Sequence, residues 1–126
     1  MKRTMAETLI CLFLSIVAVG HAHAVWLPDG NAIAPLPEPI AGTPRSIPDG
    51  SGGAIITWED ARSGSYYIYA QHVNASGVPQ WTVDGVAVCT TGNGQYDPQI
   101  AADGSGGAII TWRDTRSVSS DIYAQR

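Results

Sequence analysis

Asp49-Gly-Ser-Gly-Gly-Ala-Ile-Ile-Thr-Trp58 occurs twice in this chain, returning letter for letter at residues 103–112, an offset of 54 (49 to 103). The copying continues outward. Asp60 and Arg62 match Asp114 and Arg116, and Ile68-Tyr-Ala-Gln71 matches Ile122-Tyr-Ala-Gln125. Upstream, Trp26-Leu-Pro-Asp29-Gly30 echoes Trp81-Thr-Val-Asp84-Gly85 at an offset of 55 (26 to 81), so one residue is lost or gained before Pro44 realigns with Pro98. A whole module is repeated, and self-similarity at a fixed period marks an array of one supersecondary unit.

Each module reads as four short strands. The first covers residues 31–34 or 86–90, and the second covers 45–47 or 99–102, each introduced by a proline that suits a strand's first position. The Asp-Gly and Gly-Gly pairs at residues 49–53 accept positive φ and mark a tight hairpin. The third strand, at 54–58 or 108–112, is nearly continuously apolar, as expected when both its faces are covered. The fourth spans 66–73, or 121 to the end, and is rich in Tyr and Ile. Asn74-Ala-Ser-Gly77 closes the module with turn chemistry. The Pro-rich residues 35–43 read as loop. Helical periodicity is missing after residue 24, and strands with glycine and proline at regular reversals predict an all-β fold.

Residues 1–24 read as an export leader. Lys2 and Arg3 precede an apolar run at 9–20, and Ala22-His-Ala24 supplies small residues for a signal peptidase. The mature chain would start at Val25 and be secreted, periplasmic or surface-exposed. It carries five arginines, no lysine and ten carboxylates, a net charge of −5. That balance argues against nucleic acid and against an anionic membrane surface, both of which need a basic footprint. Once Cys11 leaves with the leader, Cys89 has no partner for an intrachain disulfide, and its apolar run Val86-Ala-Val-Cys89 suggests a small buried side chain.

The pattern Pro-x(4)-Asp-Gly-Ser-Gly-Gly-Ala-Ile-Ile-Thr-Trp-x-Asp-x-Arg, then Ile-Tyr-Ala-Gln, then Trp-x-x-Asp-Gly resembles the repeats of secreted bacterial β-propeller proteins with a sialidase-like blade layout. The resemblance implies β-propeller-type, four-stranded antiparallel blades packed about an axis, one per module. The modules fall at about 26–80 and 81–126, the second incomplete, and 54 residues is near the ~40–50 of known blades. Asn74-Ala-Ser-Gly-Val-Pro-Gln-Trp81 stands where such blades often carry Ser-x-Asp-x-Gly-x-Thr-Trp, without its aspartate. Closed propellers need about four to eight blades. The chain is therefore expected to be a segment of a larger propeller, or a two-blade subunit that closes a ring as a homo-oligomer.

The most chemically loaded residues are Trp58, Asp60 and Arg62 with their copies Trp112, Asp114 and Arg116. As a sugar site, each indole would be a stacking face and the Asp and Arg its hydrogen-bonding partners. Recurrence favours a structural ion pair beside a packed tryptophan, because a catalytic group is needed once whereas a blade-forming group is needed in every blade. We expect a non-catalytic scaffold or binding surface for a glycan or an extracellular protein. The alternatives are an oligomeric lectin and part of a sialidase-like glycoside hydrolase, whose acids would lie outside the repeat, as Glu59 does opposite Arg113. Tyr66 and Tyr67 are also unrepeated. No metal or cofactor is expected: the Asp-Gly-Ser-Gly-Gly turn lacks alternating oxygen ligands, and His72 has no partner histidine.

Overall fold

The computed structural model describes residues 26–35 and 42–126, and the leader read over 1–24 lies outside the described residues. Seven strands form: β1 (Arg45–Pro48), β2 (Ala54–Asp60), β3 (Tyr67–Val73), β4 (Val86–Cys89), β5 (Gln95–Ala102), β6 (Ala108–Asp114) and β7 (Asp121–Gln125). They make two antiparallel sheets, ordered β1-β2-β3-β4 and β5-β6-β7. The fold is all-β, with no helix among the described residues.

The duplicated turn builds the same hairpin in both sheets. Asp49 Oδ1 accepts from the backbone N–H groups of Ser51 (2.7 Å) and Gly53 (2.8 Å), and Asp103 Oδ1 accepts from Ser105 (2.8 Å) and Gly107 (2.9 Å). An aspartate that satisfies its own turn in this way fixes the reversal. The register follows at once, with Pro48 opposite Ala54 and Ala102 opposite Ala108. Asn74 repeats the device, accepting from Ser76 and Val78 at 3.0 Å.

Side chains alternate across each sheet, so residues paired in register share a face. On the first sheet Ile68 and Ala70 point at the second sheet, whose Ile110 and Trp112 meet them in one buried cluster. Val86, Val88 and Cys89 of β4 pack on the same cluster. Ile56 and Trp58 lie on the opposite face of the first sheet, where they line a groove of about 420 Å³ together with residues 31–34. The sheets are therefore stacked like successive leaves. Residues 31–34 cover the Ile56/Trp58 face of the first, much as β4 covers the Ile110/Trp112 face of the second.

Two strand expectations change. Residues 31–34 are not a strand, since no strand lies beside them to supply ladder bonds. Their copy, β4, is a strand because it pairs with β3: Ala87 stands opposite Tyr69 and Val86 opposite Ala70. The sheets thus divide the chain elsewhere than the repeat does, because β4, which lies in the second repeat, completes the first sheet. The second strand of module two also starts early, at Gln95, and passes a register shift between Tyr96 and Gln99 where Asp97 takes φ +58°.

Candidate functional site

The six residues singled out by the sequence assemble into two copies of one cluster. Trp58 and Asp60 are two residues apart on β2 and so share a face. The Trp58 indole N–H donates to Asp60 Oδ2 at 3.0 Å, the Arg62 backbone N–H donates to Asp60 Oδ1 at 2.9 Å, and the Arg62 guanidinium closes on the same carboxylate. The guanidinium lies 3.9 Å over the ring of Tyr69, which stacks on Trp58. The second copy matches it. Trp112 donates to Asp114 Oδ2 at 3.0 Å, and Arg116 Nε donates to Oδ1 at 2.9 Å. Arg116 then covers Tyr123 at 3.9 Å.

Burial sets the electrostatics. Both carboxylates are inaccessible and both indoles nearly so. The Arg116 guanidinium, with help from the Trp112 indole and the Arg116 backbone, holds Asp114 down from the ordinary 3.8 to about 2, against the opposing pull of burial. At Asp60 burial pushes the carboxyl up, but the bonds from Arg62 and Trp58 together outweigh it and the net shift is downward. Such carboxylates stay charged at neutral pH and act as fixed acceptors, the opposite of what a general acid requires. Both indoles are 4% exposed, which leaves little ring face for a sugar to stack on.

The copies differ at two guanidinium atoms, and the first is Nε, which donates to Asp114 in Arg116 but has no partner among the described residues in Arg62. Arg62 Nη2 also donates to the backbone carbonyl of Asp84 at 2.8 Å, tying the cluster to the segment that leads into β4. Arg116 Nη2 has Cys89 Sγ at 3.3 Å instead. Cys89 is half-buried and also receives Gln95 Nε2 at 2.9 Å, so its sulfur sits in a polar seam as well as against the core.

Two positions carry more than their sequence suggested. Gln71, fully buried, accepts from the backbone N–H of His72 (3.0 Å) and of Trp81 (2.9 Å) and donates to the carbonyl of Thr82 (2.9 Å). It locks the Trp81 segment to β3, and recurrence of Ile-Tyr-Ala-Gln was the signal that could have found it. His72 Nε2 lies 2.8 Å from Asp49 Oδ2, and its copy Arg126 lies 2.7 Å from Asp103. A basic residue at the end of the third strand thus braces the turn aspartate in each sheet.

Residues that do not repeat gather at one end of the stack. Tyr66 and Tyr96 lie 5.6 Å apart with tilted rings, and Arg113 stands 5.0 Å over Tyr96. Arg113 Nε donates to Asp97 at 3.2 Å, while Glu59 accepts from the Asp97 backbone N–H at 2.7 Å. Tyr66 is exposed, and so are Asp97 and Arg113. No group of three or more potential metal-binding side chains occurs among the described residues. Comparison of the chain with models of known families, with curated proteins and with solved structures returned no match.

Proposed function

We propose that each sheet is one blade of an exported, propeller-type β array that acts without catalysis, as a scaffold or a binding surface for a glycan or an extracellular protein. One observation carries this reading. The residues with most chemistry in them are duplicated and bonded to one another, with both carboxylates and both indoles buried, so they serve to stiffen each blade. The sequence repeat supports the blade, and the leader supports export. Wild-type protein should release nothing from a chromogenic glycoside panel, and turnover of any member would overturn the non-catalytic reading.

The Tyr66–Tyr96 pair favours a second reading, a lectin whose sugar-stacking face lies there instead of at Trp58 and Trp112. Aromatic rings flanked by Glu59, Asp97 and Arg113 offer both a stacking surface and hydrogen-bonding groups. On a glycan array, Tyr66→Ala with Tyr96→Ala should abolish any binding that wild type shows. Binding that survives the double change in a folded protein removes this site.

A further inference from the structure

We propose that Asn93 modifies itself: the backbone nitrogen of Gly94 displaces its side-chain amide, and the isoaspartyl link that follows loosens the joint between the two sheets. Residues 90–94 are that joint, running from β4 of the first sheet to β5 of the second. Asn93-Gly94 is the single Asn-Gly pair in the chain, and Gly92 precedes it. A following glycine has no side chain to block attack on the asparagine's amide carbon, and it restrains the backbone least. Asn93 is exposed, and among the described residues neither its side chain nor the Gly94 N–H makes a hydrogen bond. The other two asparagines are held. Asn31 accepts from the Leu27 N–H at 2.9 Å and donates to the Gly77 carbonyl at 3.2 Å, and Asn74 accepts from Ser76 and Val78 at 3.0 Å. Both precede alanine.

The chemistry needs only water and hydroxide. Hydroxide takes the Gly94 amide proton, the nitrogen bonds to Asn93 Cγ, and the Cγ–Nδ2 bond breaks. Nδ2 leaves as ammonia with a proton drawn from water, which returns the hydroxide. Water then opens the succinimide. Attack at Cγ gives aspartate; attack at the main-chain carbonyl gives isoaspartate, whose backbone runs through Cβ and Cγ and is longer by a methylene. Neither step changes an oxidation state.

That added length falls where the chain is bracketed. Gln95, fully buried, donates through Nε2 to the Thr91 carbonyl at 3.0 Å and so closes the loop around Asn93. It also ties the sheets together, since its Oε1 accepts from the Ile68 N–H at 3.2 Å and its backbone N–H donates to the Tyr66 carbonyl at 2.8 Å. The Gly94 carbonyl accepts from the Thr115 N–H at 3.0 Å and from Thr115 Oγ1 at 3.1 Å. Gly94 has no slack of its own, for a Cβ there would come within 2.5 Å of Tyr96 Oη. Hydrogen bonds hold only near their ordinary length and angle. Lengthening the link between residues 93 and 94 therefore releases the bonds that flank it, at Gln95 and Thr115.

The test ages the full chain in mildly alkaline buffer and follows it by peptide mapping. Cleavage before aspartate yields residues 84–96. A new aspartate at 93 is cut and an isoaspartate is not, while tandem mass spectrometry locates the lost amide. Conversion should be first-order and confined to Asn93, with Asn31 and Asn74 intact. Asn93→Gln should remove it, since the longer side chain closes its ring far more slowly. In the isoaspartyl form the backbone amides of Gln95 and Thr115 should exchange faster by about fivefold or more, the effect of one lost hydrogen bond. Fresh Asn93→Asp, which has the charge without the added length, should keep their protection. Near-UV circular dichroism checks that each sample is folded. An Asn93 amide that persists in the folded chain overturns the proposal, with urea-unfolded chain as the positive control for the chemistry. Conversion spread over all three asparagines also overturns it, as does an isoaspartyl form whose Gln95 and Thr115 amides exchange as before. No outcome depends on glycan binding at Tyr66 and Tyr96, so the two readings fail separately.

Discussion

At the scale of single residues, the duplicated carboxylates convert a small core into a specified one. Asp114 has no contact with water, yet it is bound by an indole N–H, a backbone N–H and a guanidinium, so its burial is offset at every lone pair in use. Asp114→Asn keeps the shape but loses the charge that faces Arg116, which should cost about 2 kcal/mol. That is a fall of roughly 10 °C in the midpoint of a thermal melt. Asp60→Asn should behave alike, and an unchanged midpoint in both would show the ion pairs to be idle. The pH dependence has a definite sign. A carboxyl whose folded pKa lies below its unfolded value contributes stability that is complete above the unfolded value and is lost as pH falls through the folded one. For Asp114 that window runs from 3.8 down to about 2, and Asp49, Asp60 and Asp103 are shifted in the same direction. Urea midpoints should hold steady at neutral pH and drop below about pH 4, with a shallower drop in Asp114→Asn.

At the scale of elements, a strand exists where a neighbour receives it. Residues 86–89 and 31–34 have near-identical lead-ins, but only the former is a strand, because β3 lies beside it. Gly85 and Gly30 show the same contrast at one atom each. Both sit at positive φ, +89° and +88°. A Cβ on Gly85 would come within 2.6 Å of Trp58 Cη2 and 2.9 Å of the Ala70 carbonyl, whereas one on Gly30 would meet nothing within 4 Å. Gly85→Ala should therefore destabilise by about 3 kcal/mol, strain plus overpacking, and Gly30→Ala by only about 1. Equal costs in dilute monomer would mean that residues 26–34 are already packed as residues 81–89 are. The repeat made β2 and β6 legible, since identical apolar runs after identical turns leave one interpretation. It also singled out Trp58, Asp60 and Arg62 in advance: strand alternation puts Trp58 and Asp60 on one face, and the turn after β2 folds Arg62 back onto Asp60. What could not be read was partnership across the repeat boundary. Pairing between β3 and β4 is a long-range fact that local spacing does not encode, and the value of Gln71 appears only once Trp81 and Thr82 lie beside it. The Tyr66–Tyr96 contact was hidden for the same reason, because it joins the β2–β3 loop to β5, and the copies of these residues, Ser120 and Gly42, are not aromatic.

At the scale of the whole molecule, two sheets built around the same repeated strand pair occupy unequal environments, and their stabilities should differ accordingly. The burial of β3 is nearly complete, while β7, its copy, is exposed at four of its five residues. Amide protection follows the free energy of the opening that exposes each group, and a strand with few buried contacts and one neighbour opens locally. In dilute protein the amides of Ile122 to Gln125 should therefore exchange early, and those of Ile68 to Gln71 only with global unfolding. Protection of β7 as strong as that of β3 would show that the unequal burial of the two strands has no counterpart in their local stability.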